Sequence, residues 1–153
     1  MNDKGSELFR LVYASRAALA ALERFEATVQ EILAIAEPNN ARLGVSGLLL
    51  AHQGWFLQAL EGPRRNVCQV FGEIARDPRH AQLELLSAGP ASERLFGSWS
   101  MCAPAMTAGA VAVTRIIDLQ ADFDPSRMDG GQALALLAAV SKLPAAVELK
   151  QAS

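Results

Sequence analysis

The stretch VSGLLLAHQGWFLQALEG, residues 45–62, constrains the fold more than any other part of the chain. Two apolar runs flank His52-Gln53-Gly54, the signature of a β-hairpin with glycine near its turn. Alternation along the second strand puts Phe56, Gln58 and Leu60 on one face and Trp55, Leu57 and Ala59 on the other. Gln58 has apolar neighbours whichever face is buried. A buried amide without partners costs about 1–3 kcal/mol, so this residue needs an explanation.

The flanking sequence supplies the rest of a sheet. LFRLVYAS (8–15) alternates and predicts a first strand with Phe9, Leu11 and Tyr13 on one face. An alanine- and charge-rich loop follows. Thr28 and Glu31 then give the S/T-x-x-E capping pattern, and Val29, Ile32, Leu33 and Ala36 follow at helical spacing. Pro38 is expected to kink or end that helix, and Gly44 to allow a sharp exit. Gly62-Pro63 opens a second helix with the stripe Val67, Val70, Phe71, Ile74 and Ala75, stopped by Asp77-Pro78. LELLSAG (83–89) reads as a fourth strand and GSWSMCA (97–103) as a fifth.

The expected class is therefore α+β, in the order βαββαββ. The simplest layout is one five-stranded sheet with both helices on one face, the ferredoxin-like arrangement plus a strand. Residues 104–153 differ in character. MTAGAVAV is apolar and poorly patterned, DFDPSRMDGG reads as a loop, and QALALLAAVSKL (132–143) predicts an alanine-rich helix. The expected division is a domain over 1–103 and a helical extension over 104–153. That extension is expected to cover the bare sheet face or to bind a partner.

Composition excludes several classes of function. A formal net charge of −2 gives no basic stripe for nucleic acid, and no apolar run nears the roughly 20 residues that span a bilayer. MNDKGSELFR has no apolar segment behind a basic start, so no secretory signal is read and a cytoplasmic location is expected. Cys68 and Cys102 form no motif and are expected to be reduced and buried. Two histidines without a CxxC predict no metal site.

Polar residues in apolar strands or at helix ends mark a possible pocket. Tyr13 ends strand one, Asn39 and Asn40 end helix one, Gln58 lies in mid-strand, and Arg79 and His80 follow helix two. Strands one and three are adjacent in a βαββαβ sheet, so Tyr13 and Gln58 can be neighbours. The amide can accept from the phenol and donate elsewhere. Each residue also has a plainer reading: a core tyrosine, a glutamine at a wet edge, capping asparagines, a solvated Arg-His turn. Residues such as Trp99 and Met101 are more often core than site.

LVYAS, NNARLGVSGLLL, GWFLQALEG, RDPRH and FGSWSM occur in this order and at a spacing that resembles the BLUF family, blue-light sensors using flavin. The resemblance covers roughly residues 8–103. It implies a ferredoxin-like sheet with a flavin, usually FAD, held between two parallel helices. By the same resemblance Tyr13 is the photoactive tyrosine and Gln58 the switching glutamine beside it. Asn40 bonds the isoalloxazine ring near its C4 carbonyl. Arg79 and His80, with Asp77, lie on the pyrimidine side. Ile32 and Phe56 are apolar ring contacts, and Ser15 and Asn39 line the pocket. Trp99 and Met101 are the fifth-strand W-x-M pair near the glutamine.

The mechanism that the resemblance implies is electron and proton transfer from Tyr13 to the excited ring, followed by recombination. Gln58 is left rotated or tautomerised, and absorption shifts slightly to the red until the dark state returns. Net turnover is not expected, so the chain is not read as an enzyme. A short photosensor acts by touching a downstream protein or by changing its own assembly, so the expected partners are FAD, such a protein, and further copies in a homo-oligomer. The output path would run through strand five into 104–153. The competing reading is a flavin-dependent redox enzyme on the same fold, which steady turnover with NADH would reveal. An acylphosphatase-like hydrolase lacks its glycine-rich loop here. A flavin-free interaction module fits poorly with Tyr13, Asn40 and Gln58 together.

Overall fold

The computed structural model describes residues 7–97, 100–102 and 123–141. Its strands are β1 (Leu8–Ala17), β2 (Ser46–His52), β3 (Trp55–Pro63), β4 (His80–Pro90) and β5 (Ser100–Cys102). Its helices are α1 (Leu19–Leu22), α2 (Phe25–Arg42), α3 (Arg64–Ala75) and α4 (Gly130–Ser141), the last preceded by a 3-10 turn at Pro125–Arg127. The sheet order is β4-β1-β3-β2-β5. β3 runs antiparallel to β1 and β2, β4 is antiparallel to β1, and the short β5 is parallel to β2. This is an α+β fold with β1 and β3 adjacent at its centre.

The hairpin forms where the sequence places it. His52 pairs with Trp55, leaving a two-residue loop. Gln53 and Gly54 have φ of 52° and 81°, the conformation a type I′ turn requires, and the second position suits glycine. Gly44, at φ 67°, turns the chain out of α2 toward β2.

Alternate residues of the central strands feed two separate layers. Leu11, Tyr13, Leu49, Phe56, Gln58 and Leu60 face α2 and α3. Val12, Ala14, Leu48, Leu50, Leu57 and Ala59 face the opposite way and pack with Ala133, Leu137 and Val140 of α4, together with Phe96 and Phe123. Both faces of the sheet are thus covered. All the named strand residues of the α4 layer are fully buried. Each Leu or Val buried in this way contributes roughly 1.5–3 kcal/mol.

Four expectations are corrected. Pro38 lies inside α2 and does not end it, so Asn39 and Asn40 occupy its last turn. Pro38 and Ala34 are exposed, so water can satisfy the Ala34 carbonyl that the proline nitrogen cannot. α2 starts at Phe25, and Thr28 is no cap: its hydroxyl donates to the Ala21 carbonyl (3.3 Å), tying α2 to the short α1 that the sequence reading took for a loop. β4 begins at His80, three residues before the expected start, which moves His80 from a turn onto the sheet. Cys68 is a free, exposed thiol on the outer side of α3, where helical periodicity places it opposite the buried Val67 and Val70 stripe. Residues 1–6 of the N-terminal segment read for a signal, most of the fifth-strand sequence other than Ser100–Cys102, and MTAGAVAV fall outside the described residues. No described helix is long and apolar enough to cross a membrane.

Candidate functional site

The layer under α2 and α3 is not filled. An open cleft lies between the helices above β1 and β3. Its floor is made by Tyr13 and Gln58, directly opposite one another in the β1–β3 register, with Leu49 on the next strand. The Tyr13 hydroxyl donates to Gln58 Oε1. Tyr13 is 1% exposed and Gln58 2%, so neither is a wet-edge residue. Burial, and secondarily the negative charge of Asp77, push the Tyr13 hydroxyl far above its ordinary range. It therefore stays a neutral phenol and donates.

Helical spacing supplies the walls. Val29, Leu33, Ala36 and Asn40 follow at steps of four, three and four, which aligns them on the inner face of α2. Asn40 is thereby turned inward and is 1% exposed. Its Nδ2 has no hydrogen-bond partner among the described residues. Ile32, Ile35 and Asn39 complete this wall, although Asn39 Oδ1 is also tied to Arg42 Nη2 at 2.7 Å. Val70, Glu73 and Ile74 of α3 form the other wall. The helices are linked at their far ends, where Asn66 Nδ2 donates to the Leu43 carbonyl (2.7 Å).

The α3–β4 turn closes one end. Asp77 Oδ1 accepts from the Arg79 backbone N–H (2.9 Å), and its carboxylate takes the Arg79 guanidinium at 2.6 Å through Nη2 and 3.0 Å through Nε. Burial raises the Asp77 pKa, but the hydrogen bonds and charge of Arg79, helped by His80, outweigh it and hold the carboxyl below the usual range. The same pairing raises the Arg79 pKa. His80 lines the cleft, with its ring 4.8 Å from Phe56 and 6.2 Å from Tyr13 between centroids, and its Nδ1 lies 2.7 Å from Ser15 Oγ. Burial lowers its pKa, the Asp77 charge partly offsets that, and Arg79 adds to the lowering.

The structure thus brings Tyr13, Ile32, Asn39, Asn40, Gln58, Asp77, Arg79 and His80 to one cleft. Ser15 and Phe56 stand one layer back and reach it through His80. Trp99 lies outside the described residues, and of Met101 only its place in β5 is described. The sequence reading missed Ile35, Leu49 and Glu73 as lining residues. Ile35 and Glu73 were findable by helical spacing, three residues from Ile32 and from Val70. Leu49 is placed only by the β2–β3 register. Among the described residues there is no cluster able to hold a metal ion.

A slot between two helices, with a buried amide donor on one wall and a phenol–amide pair on its floor, has the form of a small-molecule site. Residues 8–102 match the family model described as "BLUF: Sensors of blue-light using FAD". The chain belongs to the BLUF family, whose cofactor is FAD.

Among relatives, the photoactivated adenylate cyclase subunit beta of Euglena gracilis is 31% identical over 100 residues, which is 65% of this chain but 12% of that protein. The chain thus spans about an eighth of that relative. The dark-state structure of BlrB, a BLUF protein, is 28% identical with a TM-score of 0.68, covering 94% of this chain and 98% of that one. The BlsA ground state is 25% identical with a TM-score of 0.70, covering 86% and 87%.

The residues present fit FAD. The buried Asn40 Nδ2 is a donor whose desolvation is offset only if something in the cleft accepts from it. A flavin ring edge carries such carbonyl acceptors.

Proposed function

We propose that the chain is a blue-light photoreceptor whose switch is the Tyr13–Gln58 pair. The observation that carries this reading is the buried Tyr13–Gln58 hydrogen bond on the floor of a cleft that also contains an orphaned Asn40 donor. Asn40 and Asn39, Ile32, Phe56 and Ser15 would hold or border the ring, and Asp77, Arg79 and His80 would close its polar end. FAD supplies the blue-light absorption and, when excited, an electron acceptor.

The protein's part is to hold and move one proton. Tyr13 rests as a phenol because its anion is disfavoured by burial and by Asp77. Loss of an electron would make that phenol strongly acidic, and its existing hydrogen bond leads to Gln58 Oε1. Gln58 has an acceptor end and a donor end, so reorienting it exchanges what it offers to Tyr13 and to the cleft. In a low-dielectric site such an exchange is worth more than in water. Return of the proton to Tyr13 leaves no net turnover, so the chain acts as a sensor and not as an enzyme.

The sensor unit would comprise residues 1–103, with Met101 on β5 ahead of the 104–153 extension. Output would pass to a downstream protein, as the cyclase name of the Euglena relative suggests for that protein, or through assembly of copies of the chain.

The test is the visible spectrum of dark-purified protein before and after a blue flash. Yellow protein whose bands move slightly to the red and recover in darkness supports the reading. Bleaching, or turnover with a nicotinamide reductant, would favour a redox enzyme. Colourless protein that does not take up FAD would reject the photoreceptor.

A further inference from the structure

Among the described residues, Glu61 is the one charged side chain that is fully buried, and the photosensor reading gives it no task. It lies three residues beyond Gln58 on β3, on the face opposite the cleft. Its strand neighbours on the same rung are Arg10 of β1 and Ser46 of β2. Glu61 Oε2 accepts from Arg10 Nε (2.7 Å) and from the Leu95 backbone N–H (2.9 Å), and Oε1 accepts from the Phe96 N–H (2.8 Å). Arg10 Nη2 donates to the Glu93 carbonyl (2.7 Å). Arg94 donates through Nη1 to Ser46 Oγ (2.8 Å) and the Glu61 carbonyl (3.2 Å), and through Nη2 to the Gly44 carbonyl (2.8 Å).

Four consecutive residues, 93–96, are therefore each tied to one polar rung of the sheet. Phe96 is then fully buried in the layer under α4. Beyond it lies β5, three residues paired in parallel on β2 at the sheet edge, with a register shift between its two pairs. So short an edge strand has little stability of its own. Its position depends on how the chain leading to it is held.

We propose that Glu61 is a positioning residue: its buried carboxylate, with Arg10 and Arg94, fixes the 93–96 segment and so sets the place of β5 on β2. The proposal rests on the photosensor reading only for its consequence, that β5 can report a change at Gln58 while this rung is intact. The register itself is a property of the chain with or without light. Glu61→Gln keeps the shape but replaces one acceptor with a donor, which must face either Arg10 Nε or a backbone N–H. Arg94→Ala removes the exposed arm alone and leaves the buried carboxylate satisfied.

The test is amide hydrogen exchange of the full chain, in darkness, across Leu8–Cys102. Glu61→Gln should speed exchange over residues 93–102 at least about tenfold, the scale of one lost charge-assisted hydrogen bond. Peptides from β1 and β3 should keep the parent rates. Arg94→Ala should give a smaller change over the same residues. In FAD-loaded protein the red shift at Gln58 should persist while dark recovery changes rate several-fold. Parent-like exchange over 93–102 in Glu61→Gln, or an acceleration spread evenly over the sheet, would overturn the proposal. Should Glu61→Gln fail to fold, Arg94→Ala decides, since unaltered exchange there would equally overturn it. A parent protein without any light response would sink the photosensor reading and leave the exchange result standing.

Discussion

The two faces of the sheet are made by alternate residues of the same three strands, yet they are built on opposite terms. Under α4, Val12, Ala14, Leu48, Leu50, Leu57 and Ala59 meet Ala133, Leu137 and Val140, all fully buried and all apolar. Under α2 and α3, the same strands present Tyr13, Leu49 and Gln58 to an open cleft, with Ser15 behind His80. Apart from the Glu61 rung at its end, the first face is apolar, and its contribution to stability comes from area removed from water. The other gives up part of that packing to hold polar groups at an opening. The contrast points to a division of labour in which the α4 face stabilises the sheet on which the cleft face keeps its geometry.

The sharpest way to break this division is to damage the packed face. Leu137→Ala removes a fully buried side chain from the α4 layer and should cost roughly 2–5 kcal/mol. Urea titration would measure it. The surviving folded protein should bind FAD with an unaltered visible spectrum. A variant of parental stability that has lost flavin would show that α4 acts on the cleft and not on the packing.

The converse substitution is Asn40→Ala. The Asn40 Nδ2 has no hydrogen-bond partner among the described residues, so the flavin-free protein should lose little stability. FAD affinity should fall roughly 5- to 150-fold, the equivalent of about 1–3 kcal/mol for a lost buried partner. Flavin fluorescence quenching on titration gives both affinities. Equal affinity in the two proteins would remove Asn40 from the site.

These two residues also show what was legible beforehand. The α4 layer could be anticipated as a need, since β2 and β3 are apolar on both faces, and 132–143 was the available helix. Tyr13 and Gln58 could be paired because alternation and strand adjacency are short-range rules. Asn40 was found by resemblance and by its position at the helix end, but Pro38 was expected to kink or end the helix just before it, whereas α2 runs on through both asparagines. Proline's cost falls on one carbonyl, and where that carbonyl is exposed tertiary packing overrides it. Glu61 was in plain view in WFLQALEG. Its partners are 33–51 residues away in sequence, and no local periodicity encodes them. Cys68 was misplaced because composition says where cysteines usually sit, while helical phase decides where this one does.

A smaller effect separates structure from switching on the cleft face itself. Tyr13→Phe removes one buried hydrogen bond and should cost only about 0.5–1.5 kcal/mol. Gln58→Leu should cost a similar amount. Both variants should bind FAD, and neither should show the light-induced red shift in a flash experiment. If Tyr13→Phe cycles like the parent, Tyr13 is not the donor. If Gln58→Leu shifts normally, the glutamine is not the switch. Because the two side chains share one bond, the double variant should be less destabilised than the sum of the singles.

The smallest effect uses the two histidines, one associated with each face. His80 lies in the cleft wall beside Ser15, Tyr13, Asp77 and Arg79, and its pKa is lowered from 6.5 by burial first, with Asp77 opposing and Arg79 adding to the shift. His52, at the end of β2, has its ring 5.7 Å from Phe123 of the α4 layer and is lowered by burial alone. A histidine whose folded pKa lies below its unfolded value binds fewer protons folded than unfolded. Its contribution is therefore complete above about pH 6.5 and is lost as the pH falls through the folded pKa. Melting temperature should drop by a few degrees between pH 7.5 and pH 5. His80→Gln should flatten part of that slope, which is the share belonging to the cleft, and the remainder is assigned to His52. If His80→Gln leaves the slope unchanged, the cleft wall contributes nothing to the pH dependence. The packed face would then carry the titration as well as the stability.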